Sequence, residues 1–249
     1  LLMGTVVTLA ALARSQAQAD EAFADAFAEM ERLIAVFDRH NAASALGVLN
    51  DQGRLAAAPP ELLEVLRASE RLGRETAFAF NPAVAPVLAL YEAARAAAGG
   101  LAGPRPLSVD DKALAEALEL ARPGGIRLPE SPRFAGSAAF TGSGLIRLER
   151  EGMRLTLDGI AKGYIADAAS RRLRARNLPD HLINAGGDIR VSGLAEGGRP
   201  WRVGVQDPRH PEGVLEVVTA GDCAIATSGG YENYFDHSHS QHHIIDPRT

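Results

Sequence analysis

Leu157-Asp158-Gly159-Ile160-Ala161-Lys162-Gly163-Tyr164 sets two glycines, an aspartate and a lysine where a strand-like run gives way to a helix-like one. Glycine carries no Cβ, so its backbone can approach a ligand closely and its N–H groups can cradle an anion. Lys162 adds a point charge at the start of a helix predicted over 161–176, where the helix dipole also favours negative charge. Ile165, Ala168, Ala169 and Leu173 fall on the inward face of that helix. Further on, Ile183-Asn184-Ala185-Gly186-Gly187-Asp188-Ile189 brings a second glycine turn with polar flanks.

The texture of the chain differs on the two sides of this junction. Upstream, residues 3–12 read as a first strand, and Asp20 as the cap of a long helix with Phe23, Phe27, Met30, Ile34 and Phe37 at helical spacing. Pro59-Pro60 opens a second helix bearing Leu62, Val65 and Leu66, and Asn81-Pro82 a third bearing Val84, Val87, Leu88 and Tyr91. Ser108-Val109-Asp110-Asp111 starts a fourth, closed by Pro123-Gly124-Gly125. Short strands are expected at 145–148 and 153–157, then at 181–184, 188–193, 201–206, 214–219 and 223–227. The order implies an α+β fold, with helices clustered in the N-terminal half and short, mostly antiparallel strands in the C-terminal half.

A chain of 249 residues can bury roughly 70–75% of its unfolded surface. It reads as a single domain over 1–249, truncated at both ends: it opens Leu1-Leu2-Met3 and stops within a turn at Asp246-Pro247-Arg248-Thr249. A formal charge of −5 argues against a nucleic-acid binder, which would present a basic face. The single cysteine, Cys223, excludes an intramolecular disulfide and a multi-cysteine metal site.

Each motif has a bland reading beside its chemical one. Gly186-Gly187 leads into a strand rather than a helix, so it is no dinucleotide fingerprint, and a tight hairpin explains it. An isolated lysine is usually solvated, but Lys162 between Gly159 and Gly163 fits an anion site. Asp158 suits a helix cap and a ligand contact equally; Tyr164 and Asp167 read as structural. His237, His239, His242 and His243 could together bind a transition metal, but an exposed polar loop is the preferred reading of His237 and His239. Adjacent histidines on a strand point to opposite faces, however, so only one of His242 and His243 can face a given pocket. His243, followed by Ile244-Ile245-Asp246-Pro247, is the one read as facing a pocket.

With Ala226-Thr227-Ser228-Gly229-Gly230-Tyr231 and His242-His243-Ile244-Ile245-Asp246-Pro247-Arg248-Thr249, these segments resemble the ApbE family, the FAD:protein FMN transferases. The resemblance covers nearly the whole chain and implies a T-fold-like architecture. It puts Met3, of Met3-Gly4-Thr5, against the flavin nucleotide in an opening strand, and Ser44 and Asn50 after the first helix, Asn50 among the FAD-binding positions. Phe80-Asn81-Pro82-Ala83-Val84-Ala85-Pro86 would lead to Tyr91 near the flavin. Asp158, Lys162 and Ile245 fall on or beside FAD-binding positions, and the Gly159 carbonyl on a Mg²⁺ ligand. His243 falls on the catalytic base.

Two departures stand out. The family pattern has an aspartate where this chain has Thr156 and a glycine where it has Asp158, a compensation that resembles the subgroup associated with nitrous oxide reductase maturation. The remaining Mg²⁺ ligands are expected downstream of Thr249. The implied reaction is attack of an acceptor flavoprotein's Ser or Thr hydroxyl on the FAD pyrophosphate, leaving a phosphoester-linked FMN and releasing AMP. A Mg²⁺-dependent FAD pyrophosphatase and a non-catalytic flavin-binding scaffold are the alternatives. The resemblance further implies a periplasmic protein or one anchored to the inner membrane facing the periplasm, its anchor lying outside these residues.

Overall fold

The computed structural model describes residues 1–100, 107–130, 144–230, 233–236 and 240–248. Helices and antiparallel strands divide between two compact units, one formed by residues 1–34 and 161–227 and the other by 35–160 and 228–249.

The first unit is built on a four-stranded antiparallel sheet of β1 (Val7–Ala11), β5 (His181–Ala185), β6 (Asp188–Ser192) and β9 (Ala224–Ile225), in the spatial order β1-β5-β6-β9. The helix α6 (Ala161–Ala175) packs on β5 and β6, burying Ile165, Ala168, Ala169 and Leu173 as its spacing predicts. The first helix, α1 (Gln16–Phe37), begins four residues before Asp20, the cap expected from the sequence. Ser15 Oγ accepts the Gln18 N–H, and Gln18 Oε1 reaches back past the serine to accept the Arg14 N–H. Asp20 lies inside the helix and bonds Gln16. The buried stripe of α1 is Ala22, Ala26, Met30, Leu33 and Phe37, with Phe23, Phe27 and Ile34 on its flanks. Glu29, only 11% exposed, bridges to Arg32 and Arg172 and so ties α1 to α6. The Arg32 hydrogen bond, joined by Arg172, holds the Glu29 carboxyl down at about 2. A separate ribbon, β7 (Trp201–Asp207) with β8 (His210–Ala220), completes this unit.

His181, on β5, is fully buried. Its Nδ1 lies 2.8 Å from the Leu178 carbonyl, which can only accept, so Nδ1 carries the proton and Nε2 accepts from Ser170 Oγ at 2.7 Å. Burial, reinforced by the positive charges of Arg174 and Arg190, pushes the imidazole below its ordinary value of 6.5. The unfolded chain therefore takes the proton more readily than the folded one. This contribution to stability is complete above about pH 6.5 and is lost as pH falls below it. Urea midpoints measured between neutral and mildly acidic pH should fall, and His181→Asn should flatten that fall even though it lowers every midpoint. An unchanged slope would remove His181 as the source.

The second unit holds α2 (Ala45–Gln52), α3 (Pro60–Glu75), α4 (Ala85–Ala97) and α5 (Asp111–Leu120) beside a small sheet of β2 (Arg54–Leu55), β4 (Ile146–Leu148) and β3 (Ile126–Arg127). α2 was not expected; Ser44 caps it, its Oγ accepting the Gly47 N–H at 2.8 Å. The cap of α5 is Asp110, whose carboxylate accepts from Ala113. The strand expected at 153–157 is absent. That segment is buried apart from Arg154 and joins no ladder among the described residues; the Asn50 side chain takes up its backbone instead: Nδ2 donates to the Leu155 carbonyl at 2.9 Å and Oδ1 accepts the Leu155 N–H at 2.7 Å. Thr156 N–H then bonds the Pro82 carbonyl.

Candidate functional site

The segment 155–163 is held from several directions. Beyond the Asn50 clamp, Thr156 is buried and its Oγ1 accepts the Asp158 N–H at 3.2 Å. The Asp158 carboxylate caps no helix; it pairs with Arg39 at 3.0 Å. Gly159 is exposed, and a side chain there would meet the ring of Phe80 at 3.3 Å. The chain then enters α6, whose first turn carries Lys162 and Gly163. Lys162 Nζ forms an ion pair with Asp188 Oδ2 at 2.9 Å, both side chains partly exposed.

Gly163 has a different status from the other turn glycines. Gly186 and Gly187 form the two-residue hairpin between β5 and β6, with φ of 65° and 94°, and a Cβ on Gly186 would collide with the Thr5 side chain. Asn184 Oδ1 accepts the Gly187 N–H at 2.9 Å, so this asparagine serves the turn itself. At Gly163 neither reason applies: its φ is ordinary for a helix and a Cβ would have no neighbour within 4 Å among the described atoms. A glycine in a helix without a packing or backbone need lowers stability by about 0.5–1 kcal/mol relative to alanine. The first turn of α6 is therefore open to close approach at this position.

Met3 does not lie in a strand, contrary to expectation. Leu2 and Thr5 exchange backbone hydrogen bonds at 3.0 and 2.9 Å, so Met3 and Gly4, with φ of 54° and 72°, form the tip of a tight turn ahead of β1. In the second unit, Tyr91 on α4 stacks on Phe235 with ring centroids 5.4 Å apart. Tyr91 and Ile245 line a common cavity of about 190 Å³ with Val87, Leu114, Leu118 and His242. His242 rather than His243 faces this cavity. His243 is exposed, its N–H and ring Nδ1 both donating to the Asn233 carbonyl, at 3.1 and 2.9 Å. Since the carbonyl only accepts, Nδ1 bears the proton of the neutral ring and Nε2 is left with a free lone pair. His237 and His239 lie outside the described residues. Among the described residues no three His, Cys, Asp or Glu side chains gather into a metal-binding group.

The profile of the ApbE family matches residues 3–249. The chain belongs to that family. Its whole length aligns with a Treponema pallidum FAD:protein FMN transferase at 30% identity over 263 residues, spanning 68% of that relative. A Vibrio cholerae FAD:protein FMN transferase is 40% identical over 95 residues, which is 37% of this chain and 28% of the relative. Among solved structures, the flavin transferase ApbE from Vibrio cholerae superposes with a TM-score of 0.77 at 25% identity, over all of this chain and 75% of that one. The ApbE protein of Thermotoga maritima gives 0.78 at 25% identity over the same shares. The α+β architecture expected from the sequence is the architecture of these family members.

Proposed function

We propose that this protein transfers FMN from FAD to a Ser or Thr hydroxyl of an acceptor flavoprotein, releasing AMP. The observation that carries the reading is the first turn of α6: Lys162 stands beside Gly163, a glycine that meets no packing neighbour among the described residues and has no positive φ. A pyrophosphate brought against that backbone would meet helix N–H groups and an ammonium charge together. Asp158 and Gly159 lie just ahead of it in the chain, and Met3, Asn50, Tyr91 and Ile245 are the other proposed FAD-site residues. The Asn50 amide would act by fixing the segment at Leu155 rather than as a free hydrogen-bonding group.

In the proposed step the acceptor oxygen attacks the phosphorus on the FMN side of the pyrophosphate, the bond to AMP breaks, and the hydroxyl proton passes to His243 Nε2. The Asn233 carbonyl holds the His243 ring in the tautomer that leaves this nitrogen able to accept. Mg²⁺ is proposed as the metal, with the Gly159 carbonyl as one oxygen ligand; the chemistry it would supply is neutralisation of phosphate charge. Lys162 is the cation that the described residues themselves offer. A periplasmic setting, free or at the inner membrane, is proposed from the family resemblance.

Incubation with FAD, Mg²⁺ and a candidate acceptor tests the proposal. Covalent flavin on the acceptor supports it, free FMN makes the protein a pyrophosphatase, and neither product makes it a binding protein. Gly163→Ala gives a sharper local check. The added methyl meets nothing among the described residues, so urea stability should hold or rise slightly, while FAD affinity should drop roughly 3- to 10-fold because the backbone is no longer approachable. Unchanged affinity by calorimetric titration would mean that the glycine is not there for a ligand.

A further inference from the structure

Arg39 follows the end of α1 and is the inner member of a three-residue charge network. Its side chain is 16% exposed, while its partners, Asp158 and Glu92, are 63% and 40% exposed. Nε reaches Asp158 Oδ2 at 3.0 Å and Nη2 reaches Glu92 Oε1 at 3.1 Å, so one guanidinium joins the glycine turn to α4. The opposing charges of Asp158 and Glu92, with their hydrogen bonds, outweigh burial and raise the arginine's already high proton affinity. The planar fork suits this task, since it fixes two carboxylates in direction as well as in distance.

The pair also addresses a problem that the sequence poses. A carboxylate at Asp158 sits at the centre of a turn that is proposed to receive a pyrophosphate, and two anions there repel. Thr156, buried two residues before it, supplies only a hydroxyl, which is engaged with the Asp158 N–H. We propose that Arg39 is a positioning residue for this turn: it neutralises Asp158 and holds its carboxylate aside, so that the backbone around Gly159 is presented to an anionic phosphate. This inference rests on the reading of the turn as the FAD phosphate site.

The test is a double-mutant cycle of Arg39→Ala and Asp158→Asn, read as FAD affinity and as separate KM and kcat values. Arg39→Ala should weaken FAD binding about 10-fold at low ionic strength, raising KM with kcat little changed. The loss should shrink at high salt, because exposed charge is screened, and should nearly vanish in the Asp158→Asn background, where no charge is left to neutralise. Arg39→Lys should recover part of the affinity. Equal losses in both backgrounds and at both salt levels would make Arg39 a packing residue and overturn the proposal, as would unchanged affinity in Arg39→Ala. Lys162→Ala serves as the control for the underlying reading. If it weakens FAD while Arg39→Ala does not, only the Arg39 inference fails; if neither change matters, or the unaltered protein binds no FAD, the phosphate site itself is misplaced.

Discussion

Replacing His243 with asparagine should lower the rate of flavin transfer about 10²- to 10⁴-fold while FAD affinity stays within about threefold of the starting value. Asparagine keeps a hydrogen-bonding side chain of similar reach but offers no nitrogen lone pair that can take a proton. The local geometry makes the change a clean one, since His243 is exposed and its ring is oriented by a single backbone carbonyl, that of Asn233. Its removal opens no cavity. The same substitution at the neighbouring position provides the contrast. His242 packs against Gly230 and lines the cavity beside Tyr91, and its Nδ1 is buried without a partner among the described residues. His242→Asn should therefore alter stability more than rate. Full transfer activity in a folded His243→Asn protein would remove the base from the mechanism.

How much of this could be read from residues alone varied with how local the cause was. α6 was legible because its spacing, its glycine entry and its basic last turn agree. The Gly186-Gly187 hairpin was legible because a two-residue turn with both φ positive favours glycine so strongly. The start of α1 differs from the one that the sequence suggests because Asp20 is a plausible cap by type, while the bonds that form run from Gln18 to Ser15 and from Arg14 to Gln18, one turn earlier. α2 has only eight residues and a short apolar run, too little periodicity to announce itself. The segment at 153–157 alternates like a strand, yet its backbone is met by an asparagine side chain 105 residues away in sequence and by the Pro82 carbonyl, which no pattern in the segment could reveal. The charge network has the same character: Arg39, Glu92 and Asp158 are each ordinary in sequence, and only the fold brings them together. By residue type Asp158 suits a helix cap or a ligand contact, and nothing near it in sequence announces the arginine that pairs with it.

Removing the charge of Lys162 should weaken FAD binding by about 10- to 100-fold, the range expected for a charge-assisted phosphate contact worth about 1.5–3 kcal/mol. The ion pair at 2.9 Å with Asp188 shapes the size of this effect. In Lys162→Ala the Asp188 carboxylate is left uncovered, so the variant loses an attraction and gains a repulsion toward the same pyrophosphate. Part of the loss therefore belongs to Asp188, and the double variant Lys162→Ala with Asp188→Asn should recover a few-fold of the lost affinity. Lys162→Arg should recover part as well, since it keeps the charge and the pair with Asp188 but places a wider group in the first turn of α6. Stability should change little, because the pair is partly solvated and such pairs contribute about 0–1 kcal/mol. Titration calorimetry with FAD settles the matter. A Lys162→Ala protein that binds FAD as tightly as the unaltered one would take the lysine out of the site, and a double variant weaker than the single one would show that Asp188 helps the ligand rather than opposing it.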